Sequence, residues 1–191
     1  MINAIIMASG LSRRMGSNKL LLKLNGKYLV QHIIDKINNI SFHDIIIVTS
    51  YDDVFKIAEK SNMKYVINNN GEKGISESIK LGIVNSAKCD GYMFFTGDQP
   101  LVSEETIIEL MDNFNKNEGK IIIPVYDGFR GSPVVFPSKF KGDLLSLEGD
   151  KGGKSVINNN LKDVVYVSIE NGIENLDIDT VEDYENILKH L

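Results

Sequence analysis

Apolar residues along this chain follow two rhythms in turn. Short unbroken runs have the length and the β-branched or aromatic content of strands buried on both faces. The clearest are Ala4-Ile5-Ile6-Met7, the run Asp44–Thr49 with its core Ile45-Ile46-Ile47-Val48, and Gly91–Thr96 with Tyr92-Met93-Phe94-Phe95. Tyr65-Val66-Ile67 and Ile121-Ile122-Ile123 read as shorter strands. Between these runs lie segments of helical period. Residues 28–40 place Val30, Ile33, Ile34 and Ile37 on one face, and residues 52–61 and 75–87 are also helical. Ser103 stands where it caps a helix running to Phe114, with Glu104 and Glu105 at its positive end.

Alternation of this kind implies an α/β fold, a Rossmann-like three-layer sandwich whose mostly parallel sheet carries helices on both faces. After Pro124 the rhythm changes. Residues 126–131 are turn-rich, Val134-Val135-Phe136 reads as a late antiparallel strand, and Val164–Ile169 is a strand ahead of a final helix capped by Thr180. No linker, repeat or low-complexity segment divides the chain, so residues 1–191 read as one domain. Ligands of such sheets bind where strand carboxyl ends feed into loops. That marks the loop after Met7, the loop after Ile67, the Gly97-Asp98 turn and a late return of the chain.

Composition narrows the functions available. A net charge of -5 speaks against a general nucleic-acid partner. No apolar run approaches the roughly 18 residues of a membrane span, and no basic segment precedes an apolar one at the start, so a cytoplasmic protein without a membrane partner is expected. The one cysteine, Cys89, excludes an intramolecular disulfide framework and has no histidine nearby in sequence. His32, His43 and His190 are scattered without ligand spacing.

Against this acidic background, residues 7–19 (MASGLSRRMGSNK) contain no carboxylate and three cations. Gly10 lets backbone approach a ligand, Ser12 offers a hydroxyl, and Arg14 and Lys19 offer bidentate and point contacts to phosphate. Two common nucleotide motifs are absent. Gly10 and Gly16 do not make a dinucleotide fingerprint, and GDKGGKS at 149–155 is one residue short of a phosphate-binding loop, with Glu148 where its first glycine belongs. In GISESIKLG (74–82), Ser76 and Ser78 open a helix whose free N–H groups can hold a ligand. FFTGDQP (94–100) aims Asp98 from a strand end by way of Gly97 and Pro100, as a metal ligand requires. LDIDTVED (176–183) sets Asp177 and Asp179 on one face of an extended segment. Two well-separated carboxylates that share an ion with phosphate oxygens are the usual Mg²⁺ arrangement. Each piece alone also has a plain reading as a surface loop, a helix cap or an Asp turn; together they favour a nucleotide site.

In this order the motifs resemble the nucleotidyltransferases that attach a nucleoside monophosphate to the molybdenum cofactor, most closely their cytidylyltransferase branch. The family's opening loop, L-A-A-G-x-S-x-R-M-G-x-x-K, is matched by residues 7–19, its middle motif by Gly74, Ser78 and Gly82, and its metal turn by Gly97-Asp98-Gln99-Pro100. Residues 126–136, 147–154 and 177–180 also match, so the resemblance covers essentially the whole chain. Ser9 stands where the cytidylyl branch usually carries alanine and the guanylyl branch glycine, and Ser132 where histidine is common before Pro133.

The resemblance implies that Ala8, Ser9, Gly10, Ser12, Arg14, Lys19, Gly74, Ser78 and Gly97 bind CTP, or GTP in the guanylyl alternative. Asp98 and Asp179 would hold Mg²⁺, with Arg14, Lys19 and Asp98 carrying the catalysis. Molybdopterin would attack the nucleotide α-phosphorus through its terminal phosphate, releasing pyrophosphate, and a molybdoenzyme would receive the product. Gly131, Ser132 and Pro133, with a basic turn carrying Lys151 and Lys154, would form the acceptor pocket. CTP is the nucleotide that the likeness to the cytidylyl branch implies. The Ser9 hydroxyl should narrow the pocket against a purine, although it could also donate to a guanine oxygen. Two rivals remain: the same chemistry on a sugar-, choline- or methylerythritol-phosphate, and a non-catalytic carrier or maturation chaperone. Finding both Asp98 and Asp179 in one chain speaks against the carrier.

Overall fold

The strand β1 (Ile2–Ala8) runs through the middle of the sheet with all but one of its residues buried. Its alternate side chains feed two separate cores, as the two-residue period of a strand requires. The structure, a computed structural model, describes residues 1–10 and 18–189. A short hairpin, β2 (Lys23–Leu24) and β3 (Lys27–Tyr28), follows, then α1 (Leu29–Asn38), β4 (Asp44–Thr49), α2 (Asp52–Lys60), β5 (Lys64–Ile67) and α3 (Ile75–Asn85). The chain continues with β6 (Gly91–Thr96), α4 (Glu104–Lys116), β7 (Ile121–Tyr126), β8 (Phe129–Arg130) and β9 (Val134–Pro137). The last elements are α5 (Lys141–Leu145), α6 (Gly153–Asn159), β10 (Val164–Ile169) and α7 (Val181–Lys189).

The main sheet has the order β10-β7-β9-β6-β1-β4-β5, with β8 attached to β7. All neighbours of β1 and β4 are parallel, and β7 and β10 are parallel to each other. β9 alone reverses the direction along this path, antiparallel to both β6 and β7. Ala4, Ile6 and Ala8 of β1 face α1, α2 and α4 through Val30, Ile33, Val54, Ile107 and Leu110. Ile5 faces the opposite layer, where Ile79 and Ile83 of α3 meet Phe136, Leu144 and Val156. This is the expected three-layer α/β sandwich. The layers approach closely at Gly82 of α3, where a Cβ would lie 2.4 Å from the Ile5 methyl.

Two local expectations are corrected, and one element is unanticipated. The strand expected over Ile121-Ile122-Ile123 continues through Pro124 to Tyr126. It tolerates proline because β9 pairs β7 only at Ile122↔Val135, so no ladder bond to β9 is required at position 124. The basic turn expected over residues 151–154 is broken by the start of α6 at Gly153, which puts Lys154 in a helix. The β2–β3 hairpin is marked by no apolar run of strand length; its turn residues Asn25 and Gly26 have φ 49° and 81°. Among the described residues, no helix is long and apolar enough to cross a membrane.

Candidate functional site

Because β1, β4, β5 and β6 are parallel, their carboxyl ends share one edge of the sheet. A cavity of about 540 Å³ opens there. Its walls include Ala8 at the end of β1 with Ser9 and Gly10 just beyond it; Lys19; Gly71 and Glu72 after β5; Gly74 and Ser78 at the start of α3; Gly97 and Asp98 after β6; and Asp150 and Asp179.

Each wall is held by identifiable bonds. The 8–10 stretch is tied to the end of β4: Thr49 Oγ1 donates to the Ala8 carbonyl at 3.1 Å, and the Tyr51 hydroxyl donates to the Gly10 carbonyl at 2.7 Å. The buried Ser9 hydroxyl donates to the Val48 carbonyl at 3.1 Å. Its proton is therefore turned into the sheet and away from a ligand. Gly97 is fixed by its N–H, which donates to the Met7 carbonyl at 3.1 Å.

The α3 wall depends on a long-range contact. Gly74, at the N-cap of α3, has φ 100°, and a Cβ there would lie 2.3 Å from the carbonyl carbon of Gly149. The Gly149 carbonyl in turn accepts from the Ser76 N–H at 3.1 Å. This contact carries Asp150 into the cavity wall. Ser78 is buried and accepts from Asn68 Nδ2 at 3.2 Å, while Asn68 Oδ1 accepts from the Asn70 N–H at 2.9 Å. Asn68 thus couples the loop after β5 to the base of α3.

Three charges meet on the opposite wall. Lys19 begins a short 3₁₀ turn whose N-cap, Asn18, accepts from the Leu20 N–H at 3.1 Å. Lys19 Nζ donates to Asp98 Oδ2 at 2.5 Å and to Asp179 Oδ1 at 2.6 Å. Burial pulls the Lys19 ammonium down, but the Asp98 charge and hydrogen bonds to both carboxylates outweigh it, leaving its pKa above the ordinary lysine value. Asp179 is held by a reciprocal cap on α7: the Thr180 N–H donates to Asp183 Oδ2 at 2.8 Å, and the Asp183 N–H donates to Thr180 Oγ1 at 3.1 Å. Asp177 stands next to this group. Its carboxyl is pushed up to about 6, first by loss of hydration and then by the charges of Asp98 and Asp179.

Among the described residues, no group of three or more His, Cys, Asp or Glu side chains is gathered to hold a metal. A hard divalent cation nevertheless fits Asp98 and Asp179. Asp98 Oδ1 is a buried anionic oxygen without a hydrogen-bond partner among the described residues, and Thr96 Oγ1, from the same cavity lining, is likewise without one. One or two carboxylates completed by substrate phosphates suit Mg²⁺ and ions like it.

The structure brings together Ala8, Ser9, Gly10, Lys19, Gly74, Ser78, Gly97, Asp98 and Asp179. Ser12 and Arg14 lie outside the described residues. Gly131, Ser132 and Pro133 do not line this cavity; they lead into β9 at the same sheet edge, with the Tyr126 hydroxyl donating to the Ser132 carbonyl at 3.0 Å. Lys151 lines a separate cavity with Glu148 and Ser155, and Lys154 is exposed on α6, so neither lysine borders the main cavity. Asn68, Gly71, Glu72 and Asp150 were not singled out in the sequence, although the loop after Ile67 marked the place of the first three. Asp150 carried no comparable signal, because its position depends on the Gly74–Gly149 contact.

Comparison with known proteins agrees with this geometry. The sequence is 32% identical over 130 residues to the probable molybdenum cofactor guanylyltransferase of Natranaerobius thermophilus, covering 66% of this chain and 62% of that protein. The chain thus spans less than two thirds of that relative's length. A protein of the same description from Thermococcus gammatolerans is 28% identical over 178 residues, covering 89% of this chain and 87% of its own. Among solved structures, a homologue of Mycobacterium tuberculosis Rv0371c from Mycobacterium sp. strain JC1 superposes with TM-score 0.87 at 25% identity, over 99% of this chain and 96% of that one. A manganese complex of Rv0371c itself has TM-score 0.85 at 21% identity, over 100% and 99%, and so speaks to the fold. The profile of the MobA-like NTP transferase domain matches residues 4–164. With its cavity, charged wall and sheet order, the chain belongs to the MobA-like NTP transferase domain family.

Proposed function

We propose that this chain transfers GMP from GTP to the terminal phosphate of molybdopterin, releasing pyrophosphate. The observation that carries the chemistry is Lys19 held between Asp98 and Asp179 on the wall of an open cavity at the sheet's carboxyl edge. The choice of nucleotide and acceptor rests on likeness to relatives named as probable molybdenum cofactor guanylyltransferases. The expectation of CTP rested on the resemblance to the cytidylyltransferase branch and, secondarily, on the Ser9 hydroxyl narrowing the pocket. That hydroxyl is committed to Val48, so its support for CTP is lost.

In the reaction an oxygen of the acceptor phosphate forms a bond to the α-phosphorus. The bond from that phosphorus to the α,β-bridging oxygen breaks, and its electron pair leaves on pyrophosphate. Positioning and charge neutralisation do most of the work in such transfers. Lys19, with Arg14, neutralises the triphosphate and the charge that grows on the leaving group. Ala8, Ser9, Gly10, Gly74 and Ser78 bound the nucleoside, and Gly97 keeps the Asp98 turn against β1. Asp98 and Asp179 would hold Mg²⁺, which supplies Lewis-acid charge at the α-phosphate. Gly131, Ser132 and Pro133, at the same edge, are proposed to meet the acceptor.

The test is incubation of the protein with Mg²⁺, molybdopterin and each nucleoside triphosphate in turn, following pyrophosphate. Release that needs both molybdopterin and GTP supports the reading. Release with another phosphorylated acceptor and none with molybdopterin would reassign the substrate.

A further inference from the structure

Lys19 occupies the point at which the two carboxylates of the site converge. Its ammonium is within hydrogen-bond distance of one oxygen from each, and its side chain is only 11% exposed. A cation bridging Asp98 and Asp179 would need this same point. An ammonium and a divalent ion held side by side repel, and partial burial weakens the water screening that would relieve them. The two cations therefore compete.

We propose that in the nucleotide-free protein Lys19 stands in for the divalent cation between Asp98 and Asp179, and that the two exchange when nucleotide enters. This rests on the metal-dependent reading above. Lys19 places a positive charge between the two carboxylates. Asp98 Oδ1, buried and without a hydrogen-bond partner among the described residues, gives the ion a further oxygen on the same carboxylate once Lys19 moves off Oδ2. Phosphates brought by the nucleotide then complete two partnerships: they add oxygens to the ion's shell and give Lys19 an anion to move to. A metal arriving alone brings Lys19 no new partner, so its binding is held weak. The consequence is positive coupling between metal and nucleotide, beyond direct coordination by the phosphates.

The experiment titrates Mn²⁺ alone, followed by its paramagnetic resonance signal, into the wild type, Lys19→Met and Asp98→Asn. It then repeats each titration with a non-hydrolysable GTP analogue. Lys19→Met keeps the apolar stem and removes the charge. The expected result is Mn²⁺ binding to nucleotide-free Lys19→Met at least tenfold tighter than to wild type, with a smaller gain on adding nucleotide. Equal or weaker binding in Lys19→Met, while Asp98→Asn still loses the ion, would overturn the exchange and leave the metal site standing. Undiminished Mn²⁺ binding by Asp98→Asn in both series would instead remove the metal site itself. A second measurement needs no variant: acetylation of Lys19 in the wild type, read by mass spectrometry, should increase when Mn²⁺ saturates the protein. Unchanged labelling would also overturn the exchange.

Discussion

The backbone N–H of Ile178 donates to the carbonyl oxygen of Asp98 at 3.2 Å. This bond joins the two distant segments that carry the carboxylates of the site. The Ile178 side chain is fully buried with Leu24, Leu29 and Ile187, which fastens the β2–β3 hairpin and α7 beneath the charged wall. Ile178→Ala should therefore cost about 2–5 kcal/mol of stability, the usual range for truncating a buried isoleucine. Turnover should fall further than the folded fraction explains, because Asp179 is displaced. Thermal melting and kcat measured well below the melting point check this; normal kcat would separate Ile178 from the site.

Asp98→Asn keeps the size of the side chain and removes its charge. Turnover is expected to fall by about three orders of magnitude, the scale on which removing one electrostatic stabiliser acts. The melting temperature should change little, because Asn can still accept from Lys19. Near-normal turnover with Mg²⁺ as the sole metal would contradict the role given to Asp98.

Ser9→Ala removes a buried hydroxyl that donates to Val48. The expected loss is about 1 kcal/mol of stability. The ratio of kcat/KM for GTP over CTP should stay within about threefold of wild type, since a tenfold change corresponds to about 1.4 kcal/mol. A shift of tenfold or more would place the hydroxyl against the base.

Gly74→Ala should damage the α3 wall, because the new Cβ meets the Gly149 carbonyl. With φ 100° and ψ 177°, Gly74 lies in a region essentially reserved for glycine, which adds roughly 1–3 kcal/mol of strain for an L residue. Nucleotide affinity is expected to fall about tenfold as Gly149 and Asp150 are pushed away from α3. Gly149→Ala is the control: it also has positive φ, but a Cβ there meets nothing within 4 Å. Calorimetric titration of both variants with GTP separates strain from collision, and equal affinities would show the contact to be unimportant for binding.

Much of this architecture was legible because single elements carry strong local signals. The run Asp44–Thr49 could only be a strand buried on both faces, and Ser103 caps α4 as expected, accepting from the Thr106 N–H at 3.0 Å. Asp98 and Asp179 could be paired because each sits at a junction between extended chain and a turn or helix. The β2–β3 hairpin was missed although Asn25-Gly26 is a strong turn signal, because its strands are only two residues each. α6 was missed for a different reason. Its sequence, GKSVINN, has weak helix formers, and tertiary packing of Val156 and Ile157 holds it. The direction of the Ser9 hydroxyl could not be read locally either, since its acceptor belongs to β4, thirty-nine residues away.

The central claim is tested most directly by one competition. The protein is mixed with molybdopterin, Mg²⁺ and equal concentrations of GTP and CTP, and the dinucleotide formed is weighed by mass spectrometry. The expected result is the guanine dinucleotide in at least tenfold excess, with pyrophosphate in equal amount. A predominance of the cytosine dinucleotide, or no dinucleotide from active, folded protein, would contradict it.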